Sequence, residues 1–306
     1  MHKFYGQFQP QVDRFIYERY FRDEGIRGIF VECGAFDGLT ENSCKFFEET
    51  LGWKGFNIEP VPWVYEKLLV NRPDSTNLNF ALSSKVGTAT FHAVDHPDFG
   101  VDCTNGSLAH TQKHLSILEE GGCKFIDVEV NLLTWPEFIS RNGIEHVDLL
   151  VLDVEGHELS VIAGMQGCAV LPGVLCIEVG HLDLYEIRSK VAELGYIYDV
   201  SSHVNAFFIR RDLVPLFAFR SAHFKEFPSP VVPLEQVASA VSAPVLSLPD
   251  TSAQDKAVAL LTAKNEQLLS ELKNVRGHLA ELSSLYDSIV SSKAWKLIER
   301  VRSLRR

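Results

Sequence analysis

Residues 31–38 read VECGAFDG, and a short apolar run from Gly55 to Ile58 closes on a second acid, Glu59. The pattern is a strand running into Glu32, a glycine-rich turn, a helix, and a second strand that ends on a carboxylate. It suits a nucleoside whose ribose hydroxyls need an acceptor and whose other end lies along a glycine turn. The turn is E-x-G-x-x-D-G, not G-x-G-x-x-G. It lacks the central glycine that lets a pyrophosphate lie against the backbone, and it adds Glu32 and Asp37. Carboxylates in the turn disfavour a diphosphate, and with it NAD, and favour a cationic ligand. S-adenosylmethionine, with its sulfonium and ammonium charges, meets that description.

The rest of the first 215 residues alternates strand and helix patterns. Helices are expected at Gln11 to Glu24, Glu41 to Leu51, Trp63 to Asn71 and Leu184 to Leu194. Strands are expected at Ile29 to Cys33, Gly55 to Ile58, Asn77 to Leu82, Val147 to Val154 and Val174 to Val179. Val86 to Ala93 and Phe125 to Asn131 are β-rich segments around a loop and a helix. Thr134 to Glu137 reads as a capping box with proline in the first turn. Val147 to Val154 is apolar except for Asp148 and Asp153, as a strand buried on both faces should be. Tyr196 to Val200 and Ala206 to Arg210 are close enough to form an antiparallel hairpin. The fold class is therefore α/β, with a mostly parallel, doubly wound sheet ending in that hairpin.

Ligands of such sheets sit at the carboxyl ends of the strands. Glu32, Glu59, Asp153 and Glu178 all fall at or near such ends. Residues 148–158, DLLVLDVEGHE, add Glu155, His157 and Glu158 in a loop and first helical turn. Acids there also oppose the helix dipole. Methyl transfer to a hydroxyl needs a base or a metal, because an alcohol is a poor nucleophile. The candidate catalytic residues are Asp153, Glu155 and His157, with His157 first because histidine titrates near neutrality, and with His181 as a further alternative. Asp153, Glu155 and Glu178 could serve a divalent cation such as Mg²⁺, but their spacing is not diagnostic and no metal site is assigned. His110 and His114 lie at helical spacing without further ligands at conventional intervals. The loop Phe99 to Ser107 is expected to border the acceptor pocket.

Six segments together resemble the FkbM family of S-adenosylmethionine-dependent methyltransferases: YGQFQPQVD at 5–13, FVECGAFDGLTENS at 30–43, GWKGFNIEP at 52–60, NFALSS at 79–84, LLVLDVEGHELSVIAGM at 149–165 and CIEVG at 176–180. The resemblance covers about residues 5–210. It implies a Rossmann-like seven-stranded methyltransferase sheet and O-methylation of a sugar, glycan or small-molecule hydroxyl. It also implies that Glu32, Gly34, Ala35, Asp37 and Gly38 hold the methionyl part of the cofactor, that Glu59 takes the ribose, and that Pro60, Ala81 and Leu82 line the adenine. Asp153 would lie beside the sugar–sulfonium end. The family often carries a lysine where this chain has Val151. A competing expectation is a non-catalytic oligomeric scaffold of the same fold in a glycan-assembly complex.

Beyond residue 215 the composition changes. Residues 216–252 are rich in Pro, Ala, Ser and Val and read as a linker. In 253–290, positions from Val258 to Ile289 repeat in steps of three and four, with Asn265 at an a position. That seam predicts a C-terminal coiled-coil helix and a homo-oligomer. Residues 291–306 form a basic amphipathic tail with Trp295 on its apolar face, suited to peripheral contact with an anionic membrane. Coiled coil and tail together resemble the ends of bacterial surface-polysaccharide enzymes, which again implies a glycan acceptor. A net charge of -11 argues against nucleic acid as the main partner. Six scattered cysteines without C-x-x-C spacing suit a reducing, cytoplasmic setting. Deleting residues 291–306 should lower co-sedimentation with anionic liposomes; equal pelleting of both forms would contradict the membrane reading.

Overall fold

Neighbouring residues of the central strands bury into different cores, and this alternation fixes the architecture. The computed structural model describes residues 2–217. In chain order the elements are α1 (Val12–Tyr20), β1 (Ile29–Cys33), α2 (Lys45–Glu49), β2 (Lys54–Ile58), α3 (Pro62–Asn71), β3 (Thr76–Leu78), β4 (Ala81–Leu82) and β5 (Gly87–Asp95). They continue with α4 (Gln112–Glu120), β6 (Lys124–Leu133), α5 (Trp135–Arg141), β7 (Leu149–Leu152), α6 (Glu158–Gly164), β8 (Val174–Glu178), α7 (Leu184–Glu193), β9 (Tyr196–Ser202) and β10 (Asn205–Arg210). Leu150, Leu152, Leu175 and Ile177 enter one core with α5, α6 and α7. Leu149, Val151, Val174 and Cys176 enter the other with α1 and α2. A period-2 strand with both faces apolar has to be covered on both sides.

The main sheet has seven strands in the order β3-β2-β1-β7-β8-β10-β9. β1, β2, β3, β7 and β8 run parallel. β10 is antiparallel to both of its neighbours, β8 and β9. This is the expected mostly parallel α/β sheet, with the antiparallel hairpin at one end. The order reverses at β1, so the crossovers leave a crevice at the carboxyl ends of β1, β2 and β7.

Three expectations change. The strand drawn over Asn77 to Leu82 is broken in two: β3 pairs with β2, whereas β4 pairs with β6 in a separate three-stranded sheet, β4-β6-β5. At the break, the Asn79 side-chain amide donates to the carbonyls of Glu59 and Pro60. The helix expected from Glu41 starts only at Lys45, because Asn42 Nδ2 and Ser43 N both donate to Glu32. Thr134 is the N-cap of α5 and Pro136 sits in its first turn, but the threonine hydroxyl makes no capping hydrogen bond. The linker, coiled coil and basic tail lie outside the described residues. Among the described residues no helix is long and apolar enough to cross a membrane.

An ion pair ties α1 to the far hairpin. Arg19 Nε lies 2.6 Å from Asp199 Oδ2 and a second guanidinium nitrogen 2.8 Å from Oδ1, while the Tyr20 hydroxyl donates to the same carboxylate. The two charged side chains are 9% and 7% exposed. Removing one partner of a pair this buried strands the other, at a cost of about 3 kcal/mol. Arg19→Ala should lower the unfolding free energy from urea denaturation by that amount, and a midpoint within error of wild type would show the pair to be energetically idle.

Candidate active site

The crevice is built by a turn that cannot hold a side chain where it crosses the neighbouring strand. Gly34 has φ +81, and a Cβ there would stand 1.8 Å from the carbonyl oxygen of Asp153. The amides of Gly34 and Ala35 both donate to Ile58 O, which pins the turn to the end of β2. Phe36 N then donates to Glu59 Oε2 at 3.2 Å, and Val61 N to Glu59 Oε1 at 2.8 Å. Asp37 closes the turn by accepting from the amides of Leu39 and Thr40 and from the Thr40 hydroxyl.

A cavity of about 690 Å³ opens above this edge. Gly34, Asp37, Glu59, Pro60, Ala81, Leu82 and Asp153 line it, as do Glu155 and His157. Residues from Phe99 to Gly106 form part of its wall, as the loop composition suggested. The N-terminal segment contributes Gln7 and Phe8. That segment is held by Asp13, a fully buried carboxylate that accepts from Tyr5 N.

Glu32, Ala35 and Gly38 do not reach the cavity wall. The Glu32 carboxylate is 3% exposed, accepts from Asn42 and Ser43, and has Arg72 at 3.7 Å. Arg72 is itself buried, and also meets Glu48. A Cβ on Gly38 would collide with the Arg72 and Leu68 side chains, so that glycine lets α3 approach the turn. Val151 is the register partner of Glu32 across β1 and β7. The lysine that the family resemblance implies at this position would stand beside Glu32; in this chain the neighbouring cation is Arg72.

The β7–α6 loop gathers further acids. Glu158 turns back to accept from Val154 N and Gly156 N, so it shapes the loop. Glu155 has φ +54, unusual for a side chain with a Cβ, and points its carboxylate at two histidines. Its Oε2 lies 3.5 Å from His114 Nδ1 and 3.8 Å from His181 Nε2. Glu178 accepts from Gly180 N, and its other oxygen is buried without a partner. His157 is the N-cap of α6, with Nε2 at 3.1 Å from the Ser83 hydroxyl and Nδ1 unpartnered. The sequence singled out His114 beside His110 but not its placement next to Glu155 and His181. It sits in α4, far along the chain from Glu155 and His181, and no local pattern records that proximity.

The electrostatics follow from burial without matching cations. Among the described residues no lysine or arginine forms an ion pair with Asp153, Glu155, Glu158 or Glu178. Burial pushes the carboxyls of Glu59 and Glu158 up to about 7. Burial, then the charge of Asp153, pushes Glu178 up to about 8. Burial, then Asp153, Glu178 and Glu158, raises Glu155 further. Asp153 is exposed to the cavity, and desolvation by the surrounding protein, followed by the charge of Glu41, raises its carboxyl too. Burial pulls His157 down to about 4, so its imidazole is neutral near pH 7. The site is thus short of positive charge, which is what a cationic ligand would supply.

Residues 32–198, more than half of the chain, match the methyltransferase FkbM domain. The chain belongs to the FkbM methyltransferase family. No curated protein sequence matches this chain. Among solved structures, a methyltransferase FkbM from Methylobacillus flagellatus KT is 14% identical, with a TM-score of 0.40, over 63% of this chain and 47% of that one. This chain therefore spans less than half of that protein. The METTL16 methyltransferase domain is 8% identical, with a TM-score of 0.39, over 65% and 66% of the two chains. The precorrin-6y C5,15-methyltransferase of Geobacter metallireducens GS-15 is 12% identical, with a TM-score of 0.36, over 68% and 90%.

The raised carboxyls make the ligand-free stability of this FkbM-family chain depend on pH. Each binds its proton more tightly folded than unfolded, so the stability it contributes is full below the ordinary value of 4.5 and is lost as pH rises through about 7 to 8. The thermal midpoint of the ligand-free protein should fall steadily across that interval. A midpoint that rises there would show that these carboxyls are not held protonated by the fold.

Proposed function

We propose that this methyltransferase uses S-adenosylmethionine to methylate a hydroxyl of a sugar or glycan. The observation that carries the reading is the cavity's carboxyl groups without matching cations. Asp37, Glu41, Glu59, Asp153, Glu155 and Glu178 line it, and among the described residues the one lysine on its wall, Lys67, is engaged with Asp102. Such a donor set favours a cation and disfavours a dinucleotide diphosphate. Glu59 would take the ribose hydroxyls. Each of its oxygens already accepts one backbone N–H, and each keeps a lone pair for a further donor. Pro60, Ala81 and Leu82 give an apolar wall for the adenine. The Gly34 turn and Asp37 would meet the methionyl end, and Asp153 the centre of positive charge.

When bound, the donor supplies an electrophilic methyl group. The protein's part is to align the acceptor oxygen with it and to take up the acceptor's proton. Alignment of a well-oriented pair is worth about 7–11 kcal/mol. His157 is the favoured base. It is neutral, lines the cavity, and is fixed through Nε2 by Ser83. Its neutral imidazole can accept a proton, but burial holds it at about 4, below the near-neutral value that put it first from sequence, so it is a weaker base than expected. The loop 99–106 and the edge of the small sheet (Phe91, Ala93) form the wall against which the acceptor would rest.

Glu59→Gln should leave the fold intact and lose S-adenosylmethionine binding in calorimetry. Glu59→Ala should lose it as well. Transfer of labelled methyl from S-adenosylmethionine to glycan extracts, read by mass spectrometry, tests the activity itself. Unchanged affinity in both variants would remove the ribose assignment, and binding without any transfer would favour the scaffold reading.

A further inference from the structure

We propose that His114, Glu155 and His181 form a binding site for one divalent transition-metal ion of the zinc class, at the wall of the cavity. The three residues arrive from separate elements: the first turn of α4, the β7–α6 loop and the β8–α7 loop. Their ligating atoms all lie within 4.8 Å of one another. The carboxylate oxygen of Glu155 is 3.5 Å from one imidazole nitrogen and 3.8 Å from the other. These gaps are long for hydrogen bonds. They suit the edges of a coordination polyhedron, since two ligands each about 2.1 Å from a tetrahedral ion stand about 3.4 Å apart.

The unpartnered atoms point the same way. His114 is 2% exposed, yet its Nδ1 has no hydrogen-bond partner, and Glu155 Oε2 is likewise buried and unpaired. A buried polar atom without a partner is costly, and a cation between these two would satisfy both. The His181 ring stacks on that of His114, with centroids 4.0 Å apart and planes 11° from parallel, so the partly exposed His181 ring must turn for both nitrogens to address one ion. Two imidazoles and one carboxylate suit zinc, cobalt or iron better than magnesium, which prefers an all-oxygen shell.

Three protein ligands leave a coordination position open. Glu155 and His181 both line the cavity, so that position faces it and would hold a water or an acceptor oxygen. The ion also supplies positive charge where Asp153, Glu155 and Glu178 crowd together.

The site does not depend on the identity of the methyl donor, and metal binding can be read without it. Tag-free full-length protein, stripped with chelator, is titrated with Zn²⁺ by calorimetry and with Co²⁺ by visible absorbance, with Mg²⁺ as the comparison. The expected result is one Zn²⁺ per chain, a tetrahedral Co²⁺ band displaced by Zn²⁺, and no uptake of Mg²⁺. Loss of even an outer partner of a metal ligand costs about 10–100-fold in affinity, so Glu155→Gln, His181→Asn and His114→Ala should each weaken Zn²⁺ by about 100-fold or more. His114 is a core residue, and should His114→Ala fail to fold, the partly exposed His181→Asn carries the test. No stoichiometric Zn²⁺, uptake of Mg²⁺ instead, or wild-type affinity in both Glu155→Gln and His181→Asn overturns the proposal. Donor binding in a sample that takes no zinc would sink the metal site and leave the methyltransferase reading standing.

Discussion

The structure turns on carboxylates held out of water at one edge of a parallel sheet with too few cations to match them. A buried charge is expensive unless it is paired, hydrogen-bonded or neutralised by a proton. This chain uses all three answers in different places. Glu32 is given Arg72, Asn42 and a backbone amide. Glu59 and Glu158 are given backbone amides of the turns they brace. Glu155 and Glu178 retain buried oxygens with no partner, and these two lie on the cavity. The division separates acids that hold the frame from acids that wait for something.

That separation explains what the sequence could and could not disclose. Strand–helix alternation and the apolar run at Val147 to Val154 make the parallel sheet legible, because a strand buried on both faces has a composition of its own. The hairpin was legible from the short interval between its strands. The break after Leu78 was not, since Asn79 looks like any strand residue until its amide is seen capping two carbonyls of the turn after β2. Nor was the late start of α2. Asn42 and Ser43 are acceptable helix residues, and only their bonds to Glu32 show why the helix waits for Lys45.

The candidate site was legible along each segment but not across segments. Glu59 reads as a strand-end acid and lines the cavity. Glu32 reads in the same way and instead anchors the turn from behind, with Arg72 arriving from the end of α3. Sequence position says that an acid ends a strand. It does not say toward which layer the side chain leans, and for Glu32 the period-2 alternation turns it with Phe30 toward the side of α1 and α2. His114 is the converse case: a helix-face histidine whose role depends wholly on two loops that the fold carries to it.

The same logic bears on how a small second sheet can matter to a site built on the first. β4, β5 and β6 contribute no carboxylate to the strand-end row, but they bring Ala81, Leu82, Phe91 and Ala93 to the cavity wall. Gly164 lets α6 press against this region, since a Cβ there would stand 2.1 Å from Ser83 O, and Gly156 does the same against Ala109 O at 2.6 Å. Two glycines in the segment after β7 therefore set how closely the acidic loop meets the apolar wall. An acidic loop alone would be hydrated and its acids would titrate normally. Pressed against that wall, Glu155 and Glu158 lose water and hold their protons more tightly, and a cation that replaces those protons would meet carboxylates with no other charge partner.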